Sequence, residues 1–154
     1  MMDSNKVNRW LTLGANLGVL VGIILILIEL DQNATMMRGQ TRNDVSVELI
    51  DLMSQVANNP QLASLIHRVE SGEELTPEEF VQYEHREVAM FRYFENAHYQ
   101  YRQGLYDEVE FSAQREAWRK YWHPARVNFW CGYRSTVSPD FRAEMDSLLG
   151  ANQC

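Results

Sequence analysis

Residues 10–28 read WLTLGANLGVLVGIILILI, and no charged residue lies between Arg9 and Glu29. As a helix rising 1.5 Å per residue, this stretch spans about 28 Å, close to the ~30 Å hydrocarbon thickness of a bilayer. Trp10 sits at one end, where an interfacial aromatic is expected. Lys6 and Arg9 also suit the start of a signal peptide. The apolar run is long for one, however, and Glu29-Leu30-Asp31-Gln32-Asn33 follows without a small-x-small cleavage site. The expectation is a retained single-pass anchor, with the lipid bilayer as its first partner.

Gly14, Gly18 and Gly22 repeat every four residues inside the span. They make a flat stripe where a second helix backbone can approach closely. Thr12 and Asn16 are also four apart, and Asn16 lies about 200° around the helix from Gly14. An amide facing lipid is costly, so Asn16 is expected to face protein or water. Two decorated faces suit a ring or bundle of copies better than a simple dimer. Glu29, back near the glycine side, reads preferably as an ordinary interfacial carboxylate in water; in a ring it would repeat as carboxylates at a pore mouth.

Beyond the span, Leu30, Ala34, Met37, Thr41, Val45, Leu49, Leu52 and Val56 keep three- and four-residue spacings, so the helix is expected to continue to residue 57. Asn58-Asn59-Pro60 ends it and opens a helix over 60–70. Thr76-Pro77-Glu78-Glu79 is a capping box that opens a helix from 77 to about 103, before Gly104. Asp107 with Glu110 reads as a second capping box, for a helix from 108 to about 122. His123-Pro124 and Ser138-Pro139 start helices over 125–133 and 139–149. No segment alternates long enough to argue for a strand. The expected fold is all-α: a transmembrane helix over 1–33 with its short tail, a stalk helix over 34–58, and a compact bundle of about five shorter helices over 59–154. Most of the aromatic residues fall between Phe91 and Tyr133, which locates the centre of the core.

The chain of 154 residues has room for one anchor and one compact domain, and its formal net charge of −7 argues against a nucleic-acid partner. Cys131 and Cys154 are far apart and too few for a disulfide framework or a cysteine-based metal site. Cysteine usage of that kind points to a reducing compartment, and so to a cytoplasmic domain. Lys6 and Arg9 on one flank balance Arg38 and Arg42 on the other, so the positive-inside rule does not decide.

These features, taken in order, resemble a widespread group of small uncharacterised bacterial membrane-anchored helical proteins. The resemblance rests on the Glu29–Asn33 flank, Asn59-Pro60-Gln61-Leu62, Leu75-Thr76-Pro77-Glu78-Glu79, Phe94-Glu95-Asn96, Tyr99-Gln100-Tyr101, Gly104-Leu105-Tyr106-Asp107 and Ser138-Pro139-Asp140-Phe141. It covers nearly the whole chain. It implies this architecture and a bacterial inner membrane, and supplies no catalytic residue.

Arg92, Glu95, Asn96, Tyr99 and Arg102 recur at helical spacing and can share one face. They read either as a polar pocket for a small ligand or, preferably, as a network tying this helix to its neighbours. Glu95 and His98 form one Glu-x-x-His pair, where a di-iron bundle needs two. Arg115, Trp118, Arg119, Lys120, Tyr121, Trp122, His123 and Arg126 mix basic and aromatic residues and suit either a headgroup layer or a core with a solvated face. There is no phosphate-binding Gly-rich loop and no nucleophile elbow. The sequence therefore assigns no catalytic residue, metal or cofactor. Its leading expectation is a non-enzymatic homo-oligomer, joined through the membrane and stalk helices and forming a pore or scaffold. The alternative is an anchored ligand-sensing or partner-binding domain serving as an accessory subunit.

Overall fold

A computed structural model of the chain describes residues 4–150 and 154, so the first three residues of the expected tail lie outside the described residues. Six α-helices follow in order: α1 Ser4–Ala57, α2 Pro60–Glu70, α3 Pro77–Arg102, α4 Glu108–Tyr121, α5 Pro124–Tyr133 and α6 Pro139–Leu149. A 3₁₀ turn, Arg134–Thr136, links the last two, and no strand is present among the described residues. The all-α architecture, a long first helix followed by a compact helical region, matches the sequence expectation.

The starts are made by the residues that signalled them. Asn59 accepts the Leu62 N–H and Pro60 takes the first position of α2. Both halves of the Thr76–Glu79 capping box are formed at α3, which satisfies two amides that a helix start leaves without partners. The second expected box is only half made. Asp107 accepts the Val109 N–H, but Glu110 turns outward to an ion pair with Arg42 at 2.9 Å. Gly104 has φ +71°, the left-handed conformation that lets the chain leave α3 within one residue.

The chain divides into two units, Met1–Gly39 and Gln40–Cys154. In the first, every large apolar side chain from Trp10 to Ile28 is exposed. The α1 helix is long and apolar enough to cross a membrane, with a window of mean hydropathy 2.5, none of it buried within the structure. The second unit includes the remainder of α1. Val45 and Leu52 are buried in its core and Leu49 packs against it. The stripe expected for a separate stalk over 34–58 therefore does two jobs. Leu30 and Met37 are exposed, whereas from Val45 onward it is the first layer of the helical domain.

The core is aromatic. Phe91, fully buried on α3, meets the rings of Phe94, Tyr121, Trp122, Phe129, Trp130 and Tyr133 at centroid distances of 5.0–6.2 Å. Trp118 is buried beneath Phe94, Phe111 and Phe141. Trp118 is thus core, and Tyr121 and Trp122 at the end of α4 pack against it. A smaller cluster, Leu65, Val69 and Tyr83, joins α2 to the N-terminal half of α3.

The cysteine expectation is corrected. Cys131 on α5 and Cys154 are joined in a disulfide, with Cα atoms 5.4 Å apart. The sequence separation of 23 residues concealed this because α6 brings the chain back. Trp130 donates its indole N–H to Asp146 at 2.9 Å, and Arg134 pairs with Asp146, so α6 lies against α5. A two-cysteine protein needs only such a return to form a cross-link. The inference of a reducing compartment rested on unpaired thiols and loses that basis.

Candidate functional site

The residues singled out on α3 are dispersed into structural bonds. Glu95 accepts the backbone N–H of Ser138 at 2.7 Å and pairs with Arg92, whose guanidinium also reaches the Thr136 carbonyl. Ser138 precedes α6 as its N-cap residue, so Glu95 satisfies the backbone amide at the mouth of α6 from across the fold. Burial works against the Glu95 charge, but the Ser138 N–H and Arg92 outweigh it and hold the carboxyl below its ordinary range. Asn96 donates to Glu48 on α1 at 3.1 Å, and Arg102 pairs with Asp140 on α6. Tyr99 is exposed. Four of these five positions form ties to α1, α6 or the turn before α6, and no cavity among the described residues has more than one of the five in its lining.

Glu95 is engaged by Ser138 and Arg92, and His98 turns to other partners. His98 is buried between Phe111 and Phe141, where loss of water lowers its pKa below the ordinary histidine value. Among the described residues, no three His, Cys, Asp or Glu side chains are grouped so as to hold a metal ion.

In the membrane-span candidate, the glycine stripe is open: a Cβ built at Gly14, Gly18 or Gly22 meets nothing within 4 Å. Thr12 donates its hydroxyl to the Asn8 carbonyl at 2.9 Å. It is satisfied within its own helix and needs no neighbour. The polar face opposite the glycines therefore reduces to Asn16.

The most unusual chemistry lies around Glu87, which no sequence motif marked, where it meets Tyr121 and Arg126 of the basic-aromatic set. Glu87, 1% exposed, accepts the Tyr121 hydroxyl at 2.8 Å and lies 3.6 Å from Arg126. Arg126 also pairs with Glu70, donates to the Tyr121 carbonyl at 3.1 Å, and sits 4.2 Å over the Tyr121 ring. Arg86 is buried beside them with Nε and one terminal nitrogen unpartnered. Burial pushes the Glu87 carboxyl upward, partly offset by the Tyr121 bond and by the Arg126 and Arg86 charges. Burial also opposes the Arg126 charge, but Tyr121, Glu87 and Glu70 outweigh it and keep the guanidinium above its ordinary value. The cluster ties α2, α3, α4 and α5 together. Removing one member leaves another charge buried alone, which costs more than the pair contributes. The sequence did carry a signal. Tyr83, Glu87, Met90 and Phe94 follow the core spacing of α3, and a carboxylate on that stripe has to be buried.

Next to this cluster, α3, α5 and the segment before α3 enclose an open cavity of about 650 Å³. Its walls are largely aromatic and apolar, with Phe80, Tyr83, Phe129 and Tyr133 the largest side chains. Tyr83 and Phe129 meet edge to face at 6.5 Å, and Phe129 stacks on Tyr133 at 5.4 Å. The volume falls in the ordinary range for small-molecule sites, roughly 300–1,000 Å³.

No protein-family model matches the chain, and neither a curated protein nor a solved structure matches it.

Proposed function

We propose that the protein is a single-pass, membrane-anchored binding module. Residues 10–28 cross the bilayer, and the helical domain binds a ligand or partner outside the reducing compartment. One observation carries the anchor: an apolar window on α1 with none of its surface covered by the rest of the chain. Water is a poor solvent for that surface, and a bilayer core of about 30 Å matches it. The Cys131–Cys154 bond supports the side, since such bonds persist in oxidising compartments. In a bacterium this means the inner membrane with the C-terminal domain in the periplasm, and Lys6 and Arg9 held in the cytoplasm. The aromatic cavity supports the binding role.

The experiment is the redox state of the two cysteines in intact cells. Full-length protein trapped with a membrane-impermeant maleimide should show no label. After treatment with an impermeant reductant, both thiols should label without lysis. Free thiols that label only after lysis would overturn the periplasmic placement.

A second reading is favoured by the open glycine stripe, which leaves the α1 backbone accessible along Gly14, Gly18 and Gly22. Copies of the chain then associate in the membrane through this stripe, and Glu29 lines the mouth of any pore they enclose. Gly18→Leu should reduce the assembly to monomers in mild detergent, measured by light scattering. An unchanged assembly mass would remove the glycine stripe as the contact. For a pore, ion flux in liposomes should fall on Glu29→Gln.

A further inference from the structure

The cavity against α5 has a chemical character more specific than apolar. Two carboxylates, Glu73 and Glu84, stand among its lining residues, and no Lys or Arg does. Glu73 is paired with Arg68 at 3.0 Å, a guanidinium it shares with Glu79. Glu84 makes no ion pair among the described residues. It lies on the same face of α3 as Phe80, four residues earlier, and Tyr83. Phe80 is 53% exposed, an aromatic ring left in water at the wall of a cavity.

Gly132 on α5 supplies the floor. It is helical, and a Cβ placed there meets nothing within 4 Å, so the space beside it is open.

We propose that this cavity is a binding site for a small organic cation, an ammonium or quaternary ammonium group carried on an apolar or aromatic body. This rests on the binding-module reading above and names the ligand chemistry of its site. The exposed face of Phe80 attracts a cation, while Phe129, stacked by Phe91 and Tyr133, and Tyr133, with Arg92 5.7 Å over its ring, supply apolar wall. Glu84 supplies the counter-charge, and the aromatic walls take the apolar body. An anion meets the Glu84 carboxylate, which no ion pair among the described residues offsets. A neutral ligand gains the walls but nothing from Glu84. The protein's net charge of −7 attracts the same sign of ligand from a distance.

Benzyltrimethylammonium is the probe, compared with benzyl alcohol and phenylacetate, which carry the same ring with no charge and with negative charge. Each is titrated by ligand-observed NMR into the full chain in lipid nanodiscs, with empty nanodiscs as blank. The cation should bind saturably, at least tenfold more tightly than either analogue. Glu84→Gln should weaken it about fivefold. Gly132→Leu should abolish binding by filling the floor, with an unchanged or higher melting temperature, since glycine is a poor helix former. Benzyl alcohol binding as tightly as the cation, and still blocked by Gly132→Leu, would overturn the cation chemistry while sparing the binding module. Absence of saturable binding by all three, or binding of the cation unaffected by both substitutions, would overturn the site itself. Where Gly132→Leu lowers the melting temperature, Glu84→Gln becomes the deciding variant, because the Glu84 side chain takes part in no ion pair among the described residues. Cation affinity unchanged by Glu84→Gln would then overturn the site.

Discussion

Phe91→Ala should lower the stability of the helical domain by about 4 kcal/mol, the middle of the range for emptying a fully buried aromatic site. Phe91 is 0% exposed and stands at the meeting point of α3, α5 and the end of α4. Six rings close on it, and each loses a contact when it goes. Those rings are themselves anchored. Tyr121 is bonded to Glu87 and Trp130 to Asp146, so they are poorly placed to collapse into the space. At roughly 4–8 °C per kcal/mol for a domain of this size, the melting temperature should fall by ~20 °C. Tryptophan fluorescence during denaturant unfolding of the full chain in detergent reads the change, because Trp118 and Trp130 lie in the same core. Val109→Ala, at a side chain 75% exposed, is the control and should change stability by less than about 0.5 kcal/mol. A loss below about 1 kcal/mol for Phe91→Ala would mean that this ring cluster is not the centre of the fold.

The second large effect concerns the span. Leu20 and Ile24 are both exposed on α1, so replacing them removes no contact within the chain. An aspartate near the centre of a membrane helix costs about 2.5–3.5 kcal/mol, and the displaced apolar residue contributes a further ~0.5. Leu20→Asp with Ile24→Asp should therefore oppose insertion by roughly 7 kcal/mol, enough to leave the segment outside the bilayer. Wild-type protein should stay in the membrane pellet after alkaline carbonate extraction, and the double variant should move to the supernatant. A variant that remained in the pellet would show that residues other than 10–28 hold the chain there.

The helices were legible because their boundaries are local. A Pro at the first position of α2, α3, α5 and α6, and side-chain caps at Asn59 and Thr76, act over three or four residues and appear in the sequence as they appear in the fold. Features set by partners distant along the chain were not. Glu110 has the spacing of a capping box, but Arg42 on α1 offers it an ion pair instead. Glu95 looked like a pocket residue beside Arg92, and only the placement of Ser138 just ahead of α6 gives it a backbone amide to accept. The cysteine pair depends on α6 returning along α5. The division at Gly39 follows from which half of α1 finds a core to join, although a single amphipathic stripe runs through both halves. Of the cavity, the sequence exposed the aromatic density but not the selection of rings. Phe80 and Tyr83 lie outside the Phe91–Tyr133 stretch and come to it through packing of α3 against α5.

The central claim is that residues 10–28 cross a membrane, and protease protection tests it on the unaltered chain. Sealed right-side-out vesicles carrying the full-length protein are digested from outside, and the surviving peptides are identified by mass spectrometry. The account predicts a protected fragment that contains Trp10 to Ile28 and keeps Lys6 and Arg9, with the helical domain degraded. Opening the vesicles should then trim Lys6 and Arg9 as well and leave the apolar span. Degradation of residues 10–28 in sealed vesicles, with the bilayer intact, would contradict the account.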